Sequence, residues 1–189
     1  MYRALTWLVL HQGIDPDDKR AASGLAEKAS LEVGPPPEDG SELCSVRVDG
    51  QDATPFLRSP EVERAVSLVS RIPGVRRALV HLQRQAAEGT PVVMAGRDIG
   101  TTVLPDAELK VYLDASRQER ARRRQRQAAQ GGASVPLERV LAELDRRDAI
   151  DSGRRASPLR PARDAVVINT DGLSLEEVVA KVLALVERG

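Results

Sequence analysis

Apolar residues recur at helical spacing along much of the chain, and short continuous apolar runs separate several of these segments. Leu5, Leu8 and Val9 form one face of a predicted helix over 3–12. Three runs without helical periodicity, 91–95, 109–113 and 165–168, are flanked by helical segments and are predicted to be buried parallel strands. Strands that alternate with helices in this way favour an α/β fold with a parallel sheet.

Residues that begin helices place the other predicted helices. Asp15-Pro16-Asp17-Asp18 and Ser59-Pro60-Glu61 are typical starts, because Asp or Ser caps the first turn and proline is tolerated there. Ser116 with Glu119, and Ser174 with Glu177, have capping-box spacing. The predicted inner faces are Val62, Val66 and Val69; then Val75, Leu79 and Leu82; then Leu137, Val140, Leu141 and Leu144; and finally Leu175, Val178, Val179, Val182, Leu183 and Val186.

Residues 31–57 show a different pattern and are predicted to form a small antiparallel insert. Leu31 to Val33 is a weak strand, and Leu43 to Val48 alternates in the manner of a half-buried strand. The proline-rich segment 34–40 between them predicts an exposed turn. Asp49-Gly50 is a hairpin-type turn.

Composition excludes several classes of protein. The length of 189 residues suits one domain, and equal numbers of basic and acidic residues, 28 each, make a general affinity for nucleic acid or anionic membranes unexpected. No apolar run approaches the roughly 18 residues of a membrane span. The single cysteine, Cys44, suits a reducing compartment. No other potential metal ligands stand at ligand spacing from Cys44, His11 or His81 in the sequence. A cytoplasmic protein is therefore expected.

Arginine dominates the cationic residues. Lysine occurs only at 19, 28, 110 and 181, so 24 of the 28 basic residues are arginine. The planar guanidinium group of arginine can bind a phosphate through two parallel hydrogen bonds. One cluster is Arg117, Arg120, Arg122, Arg123, Arg124 and Arg126; a second is Arg146, Arg147, Arg154, Arg155, Arg160 and Arg163. Each cluster is open to two interpretations: a site for an anion, or a solvated face with surface ion pairs.

The loop Gly96-Arg97-Asp98-Ile99-Gly100-Thr101 directly follows the first predicted parallel strand. Ligands of open α/β sheets bind at the carboxyl ends of strands, and glycines let backbone approach closely. Arg97 and Asp98 are thus candidates for recognising a polar anionic molecule, and the alternative is a structural ion pair that closes a loop. Ser67 is also open to a structural interpretation, in which its hydroxyl is buried and hydrogen-bonded within its own helix.

The order of these segments along the chain resembles cytidylate kinase, a nucleoside monophosphate kinase family. The resemblance runs from Met1 almost to Gly189. Its carriers are Met1-Tyr2-Arg3-Ala4; Asp49-Gly50 to Thr54; Leu57-Arg58-Ser59-Pro60-Glu61-Val62; Ser67; Pro73 to Arg76 with Gln83-Arg84; Gly96 to Thr101; Leu113 to Ser116 with Glu119 to Arg123; and Arg147-Asp148 to Asp151 with Arg154.

The resemblance implies a single kinase domain over 1–189, with 31–57 as part of the CMP-binding insert and about 117–134 as a lid. The implied reaction transfers the γ-phosphoryl group of ATP to CMP or dCMP with Mg²⁺, in a cytoplasmic monomer. Ser67, Arg76 and Asp98 match positions that read cytosine. Carboxylate and guanidinium suit this ring, which offers an N4 donor and an O2/N3 acceptor edge.

Further roles follow from the same resemblance. Tyr2 and Arg3 match the start of the monophosphate site, and Arg97 is counted with the substrate-binding residues beside Asp98. Arg147, Asp151 and Arg154 match positions near the CMP phosphate and ribose. Arg120 and Arg123 fall in the lid over the donor phosphates and, with Arg147, are the expected catalytic residues. No metal ligand is assigned.

One departure concerns the front of the chain. The phosphate-binding motif G-x-x-x-x-G-K-[ST], which cradles ATP in the family, does not occur in these 189 residues. In the family it lies upstream of the segment matched by Tyr2-Arg3, so a mis-called start or a truncation is expected. Strands one and two of the family sheet, whose order is 2-3-1-4-5, are then expected to be absent.

Unpaired strand amides cost about 1–3 kcal/mol each when buried, so the chain as printed is expected to be marginally stable with little or no kinase activity. A circular dichroism melt is the measurement, and a sharp transition at high temperature contradicts the expectation of low stability.

Three alternatives remain open from the sequence. One is a catalytically dead protein that retains CMP recognition. Another is a remnant that pairs with a second protein supplying the missing strand. The third is a kinase for a different monophosphate, for which Arg76→Ala or Asp98→Ala leaves base preference unchanged.

Overall fold

The computed structural model describes residues 1–38, 44–89, 91–130, 132, 134–152 and 160–188. The chain divides into two compact units, Met1–Val92 and Val93–Gly189. The described part contains a small antiparallel sheet in the first unit and a parallel pair of strands in the second. This mixed α/β character agrees with the predicted class, and the single-domain organisation stays a prediction.

The first unit packs four helices around the antiparallel sheet. The elements are α1 Tyr2–His11, α2 Lys19–Lys28, β1 Leu31–Gly34, β2 Ser45–Val48, β3 Gln51–Asp52, a 3-10 turn Thr54–Phe56, α3 Pro60–Ser70 and α4 Pro73–Gln85. The Ser59 side chain caps α3, as predicted. The predicted start of α2 is wrong by one turn: Asp18, not Asp15, caps the helix, and Pro16 lies in the turn before it, where the Asp15 carboxylate accepts from the Asp17 amide. The predicted strand 43–48 is observed from Ser45; Leu43 lies outside the described residues.

The antiparallel insert forms as predicted. β2 pairs with β1, so that Leu31 lies opposite Val48, and also with β3. Asp49 and Gly50 connect β2 to β3 with φ angles of 49° and 76°. Two consecutive positive φ angles match the twist of the flanking strands, which is why Asn-Gly and Asp-Gly dominate such turns. The Asp49 carboxylate also accepts a hydrogen bond from the Ser30 amide at 2.8 Å.

The core of the first unit collects the apolar faces that helical spacing predicts. It is built mainly from α1, β2 and α4: Leu5, Leu8, Val9, Val46, Val48, Val75 and Leu79. Val62, Val66 and Val69 on α3 are buried as well, and Leu82 packs against the core while partly exposed. These predicted inner faces are confirmed.

The second unit contains a short π-helical turn Ile99–Val103, β4 Val111–Asp114, α5 Arg117–Gln130, α6 Leu137–Ser152, β5 Val166–Asn169 and α7 Leu175–Val186. β4 and β5 are parallel, with Val111 opposite Val166 and Asp114 opposite Asn169. α5 packs on α6 through Ala121, Val140 and Leu144, with Leu137 and Leu141 beside them, so the predicted inner face of α6 is confirmed.

The predicted strand over 91–95 is wrong. These residues adopt no strand, and the Val93 side chain is 98% exposed. A strand requires a neighbour for its N–H and C=O groups, and in the described chain only β4 and β5 form a parallel ladder. An apolar run without such a partner has no reason to extend as a strand.

Two predictions about helices also need correction. The apolar side of α7 is exposed, with Leu175 at 75% and Leu183 at 54%, because no described element covers it. Ser116 does accept from the Glu119 amide, but its own amide donates to the Asp171 carboxylate at 2.8 Å, so the reciprocal half of that capping box is absent. The box at Ser174 and Glu177 forms completely.

Close packing between α2 and α4 in the first unit depends on Gly74. A Cβ at this position lies 2.1 Å from Ser23 Oγ and 2.5 Å from Ser23 Cβ, so the helices must separate to admit it. We expect Gly74→Ala to lower the free energy of unfolding by about 1–3 kcal/mol. Urea denaturation measures the effect.

Gly24 is the matched control, since it lies within α2 and a Cβ there meets nothing within 4 Å. Gly24→Ala is expected to raise stability by about 0.5–1 kcal/mol, because alanine loses less backbone entropy in a helix. Equal urea midpoints for the two variants contradict the packing argument.

Candidate functional site

Arg76 is the best-defined candidate of the first unit. It lies in the first turns of α4 with only 6% of its surface exposed, and its guanidinium carbon is 5.6 Å from the centroid of the Tyr2 ring. A cation at this distance from an aromatic face is attracted by the ring electrons, more strongly when water is excluded. The structure therefore brings together two predicted site residues that are 74 positions apart in the sequence.

Two buried serines at the end of α3 extend this contact. Arg76 Nη1 donates to the Ser70 carbonyl at 3.4 Å, and Ser70 Oγ donates to the Ser67 carbonyl at 3.4 Å. Ser67, a predicted site residue, thus joins Tyr2 and Arg76 in what we term the α3–α4 polar cluster: Tyr2, Ser67, Ser70 and Arg76. Ser70 was missed, although its position three residues after Ser67 places both on one helix face.

Arg3 anchors the start of α1. Its Nη1 donates to the Leu57 carbonyl at 2.8 Å and to the Glu63 carboxylate at 2.5 Å. Glu63 was also missed; its place in the first turn of α3, where the helix dipole favours an acid, is the signal that was available. Because Arg3 already has a carboxylate partner, a phosphate at this position has to compete with Glu63.

Asp98 sits at the start of the π-helical turn in the second unit and is 8% exposed. Its carbonyl accepts from the amides of Thr102 at 2.9 Å and Val103 at 3.3 Å, and from Thr101 Oγ1 at 3.4 Å. A Cβ on Gly96 lies 2.8 Å from the Ile99 side chain, which explains the glycine. Arg97, the neighbour of Asp98, is half-buried.

Arg117 and Arg120 on α5 are held in ion pairs with acids of α6. Arg120 contacts Asp148 at 2.7 Å, and Arg117 Nε donates to Asp145 at 2.6 Å. The hydrogen bonds from Arg117 hold the pKa of Asp145 below its usual value. The spacing that suggested an anion site also lets these side chains reach acids on α6.

Arg123 makes the most extensive contacts of the predicted lid residues. It donates to Glu119 at 2.9 Å and to Thr170 Oγ1 at 2.9 Å, and also to the Thr170 carbonyl. Thr170 Oγ1 in turn donates to the Asp114 carbonyl at 2.9 Å, so Arg123 fastens α5 to the carboxyl ends of β4 and β5. A role of Arg120 and Arg123 toward donor phosphates stays a prediction.

The remaining predicted residues are only partly described. Arg147 and Asp151 lie on the backbone of α6, but their side chains are outside the described part of the chain, and Arg154 lies outside it entirely. Ser67 and Arg76 belong to the first unit and Asp98 to the second. Their joint contact with a cytosine ring stays a prediction.

Within the described ranges, no three His, Cys, Asp or Glu side chains are grouped so that they can hold a metal ion. No residue is assigned to Mg²⁺. Among the helices described, none is long and apolar enough to cross a bilayer.

The comparisons with known proteins identify the relatives of this chain. A family model described as cytidylate kinase matches residues 1–188. A cytidylate kinase of Pelotomaculum thermopropionicum is 45% identical over 189 residues, which cover 100% of this chain and 82% of the relative. A cytidylate kinase of Roseiflexus castenholzii is 48% identical over 186 residues, or 97% of this chain and 78% of the relative.

Some relatives are larger. A bifunctional pantoate ligase/cytidylate kinase of Synechococcus sp. (strain JA-2-3B'a(2-13)) is 48% identical over 185 residues, which are 98% of this chain and 34% of the relative. The chain thus spans about a third of the length of such bifunctional proteins. Nothing in these relatives supports the alternative of a catalytically dead remnant.

Replacement of Arg123 tests the attachment of α5. Arg123→Met removes the hydrogen bonds to Glu119 and Thr170, and we expect the free energy of unfolding to fall by about 1 kcal/mol, since the side chain is partly exposed. Arg122→Met, an exposed neighbour on α5, is the control and should leave stability unchanged. Thermal unfolding of both variants measures the effect. Equal losses of stability in the two variants would contradict a specific attachment of α5 through Arg123.

Proposed function

Because the chain belongs to the cytidylate kinase family, we propose that it transfers the γ-phosphoryl group of ATP to CMP or dCMP, giving CDP or dCDP. The structural observation that carries this proposal is the buried Arg76 guanidinium held against Tyr2 beside Ser67 and Ser70. A cation fixed in place before a ligand arrives loses little conformational entropy on binding.

The acceptor base is read by three groups of complementary chemistry. Arg76 donates to the O2 and N3 acceptors of cytosine, and the Asp98 carboxylate accepts from its N4 amine. Ser67 contributes a hydroxyl to the same ring. Burial of Arg76 and Asp98 supports this assignment, because hydrogen bonds made away from water discriminate strongly between bases that differ in donors and acceptors.

The acceptor phosphate and ribose are bound by residues from both units of the sequence: Tyr2, Arg3, Arg97, Arg147, Asp151 and Arg154. Arginine suits the phosphate because its fork makes two parallel hydrogen bonds, and Asp151 suits the ribose hydroxyls. In this proposal the CMP phosphate replaces Glu63 as the partner of Arg3. A phosphate carries more charge than one carboxylate, which favours the exchange.

The donor side of the reaction is assigned to α5 and its surroundings, over about 117–134. Arg120 and Arg123 leave Asp148 and Glu119 to contact the phosphates of ATP, and Arg147 acts with them. Phosphoryl transfer depends mainly on positioning and on neutralising charge that spreads over the phosphoryl oxygens. Mg²⁺ bound to the ATP phosphates supplies part of that neutralisation.

We further propose that the protein works as a monomer in the cytoplasm, in pyrimidine nucleotide metabolism. The lone Cys44 supports the location, because a free cysteine fits a reducing compartment, and the net charge of zero gives no general attraction to nucleic acid or membranes.

Substitution of Arg76 tests the function and the base-reading role together. The sequence alone predicts little or no activity, but because relatives that match over 78–82% of their length are cytidylate kinases, we expect the wild-type protein to form ADP from ATP with CMP or dCMP. Arg76→Met is expected to lower kcat/KM for CMP roughly tenfold to hundredfold, as loss of a charged hydrogen bond predicts. A coupled ADP-release assay with CMP and UMP measures both the rate and the base preference.

Arg77→Met is the matched control, since Arg77 is the exposed neighbour on the same helix. It should leave the preference for CMP over UMP intact. Preference unchanged in Arg76→Met points to a kinase for another monophosphate, and absence of ADP formation in the wild type contradicts the proposed reaction.

A further inference from the structure

Lys110 is a buried cation in a chain that otherwise relies on arginine. It is one of four lysines among 28 basic residues and lies directly before β4, with 8% of its side chain exposed. Burying an ammonium group is unfavourable unless hydrogen bonds and an opposite charge compensate it. The partners of Lys110 therefore indicate why a lysine is placed here.

Those partners lie on two different segments. The Lys110 ammonium donates to the Pro105 carbonyl and to the Asp164 carboxylate, the latter at 2.5 Å. The same hydrogen bond holds the pKa of Asp164 below its usual value. Asp164 lies just before β5, so the side chain joins the beginnings of both parallel strands to the loop ahead of β4.

The aliphatic stem of Lys110 has a second contact. A Cβ added to Gly100 would lie 3.3 Å from Lys110 Cδ and 3.4 Å from Lys110 Cγ, so the stem passes close to this position and a larger residue there would press on it. Gly100 is inside the π-helical turn, and Pro105 follows it. The unbranched stem of a lysine can pass beside Gly100 while its compact ammonium group reaches the Pro105 carbonyl. The wider, planar guanidinium group of an arginine is less suited to this path.

The turn that Lys110 supports is the one that presents Asp98 and follows Arg97. It is closed by hydrogen bonds from the Thr102 and Val103 amides to the Asp98 carbonyl, and from the Leu104 amide to the Ile99 carbonyl at 2.7 Å. Gly100 lies inside this closed turn and Pro105 directly follows Leu104, so displacement of either is expected to shift the turn that begins at Asp98.

We propose that Lys110 is a positioning residue for nucleotide recognition, which fixes the Ile99–Val103 turn so that Asp98 meets the cytosine amine. This inference rests on the proposed function, because it assumes that Asp98 reads the base. Lys110 itself does not touch the nucleotide; it acts through Gly100 and Pro105. Its loss is expected to weaken the binding of CMP more than that of a pyrimidine without the N4 donor.

The test combines amide hydrogen exchange with titration calorimetry on the full chain. In Lys110→Met we expect the Thr102, Val103 and Leu104 amides to exchange at least about tenfold faster, while the amides of α5 are unchanged. CMP affinity is expected to fall on the order of tenfold, and UMP affinity to change less than twofold, because a small misplacement of a recognition group has a large effect.

Lys181→Met is the matched control, the same substitution at an exposed lysine of α7. This control should change neither the amide exchange of the Ile99–Val103 turn nor the affinity for CMP. Asp164→Asn is the second variant. The Asp164 side chain is 65% exposed, so this substitution removes a charged partner of Lys110 without creating a cavity. We expect smaller changes of the same kind in amide exchange and in CMP affinity than in Lys110→Met.

The outcomes separate the two proposals. Unchanged exchange at Thr102 to Leu104 in both Lys110→Met and Asp164→Asn overturns the supporting role, as does faster exchange with unchanged CMP affinity. A general loss of affinity for CMP and UMP alike also overturns it, because that result indicates loss of the whole site. Absence of CMP binding in the wild type overturns the proposed function, while the exchange comparison still reports whether Lys110 holds the turn.

Discussion

A β-strand persists only where a neighbour takes up its backbone N–H and C=O groups, and this requirement organises both units of the chain. In the first unit β2 has a partner on each side, and its valines complete a core with α1 and α4. In the second unit β4 and β5 have one ladder between them. The apolar run around Val93 has no ladder in the described chain and forms no strand, and the Val93 side chain is 98% exposed.

Compensation of buried and half-buried charge is the second constraint. Arg76 is stacked on Tyr2 and bonded to a carbonyl, Arg3 is paired with Glu63, and Arg123 is bonded to Thr170. The contacts of Arg76 with Tyr2, of Arg3 with Glu63 and of Arg123 with Thr170 join segments that are far apart in the sequence, so these arginines position the elements. In the proposed function, a ligand phosphate at Arg3 replaces an existing carboxylate partner.

The turn around Asp98 carries a group that the proposed function uses to recognise cytosine. The sequence places Asp98 in a glycine-containing loop, and the structure closes that loop through the Asp98 carbonyl. The Lys110 ammonium donates to the Pro105 carbonyl just beyond this loop. In the proposed function, specificity for cytosine thus rests on the rigidity of a turn as well as on the chemistry of one carboxylate.

Local rules were sufficient for the Ser59 and Ser174 caps, the Asp49-Gly50 turn and the inner faces of α1, α3, α4 and α6, because these depend on neighbours within a few residues. The ordered motifs were sufficient for the family. Tertiary structure alone decided that Arg76 meets Tyr2, that Arg120 pairs with Asp148, and that Lys110 reaches Asp164. It also decided which apolar runs find partners, since strand pairing and charge compensation join distant residues, and periodicity along one segment carries no information about them.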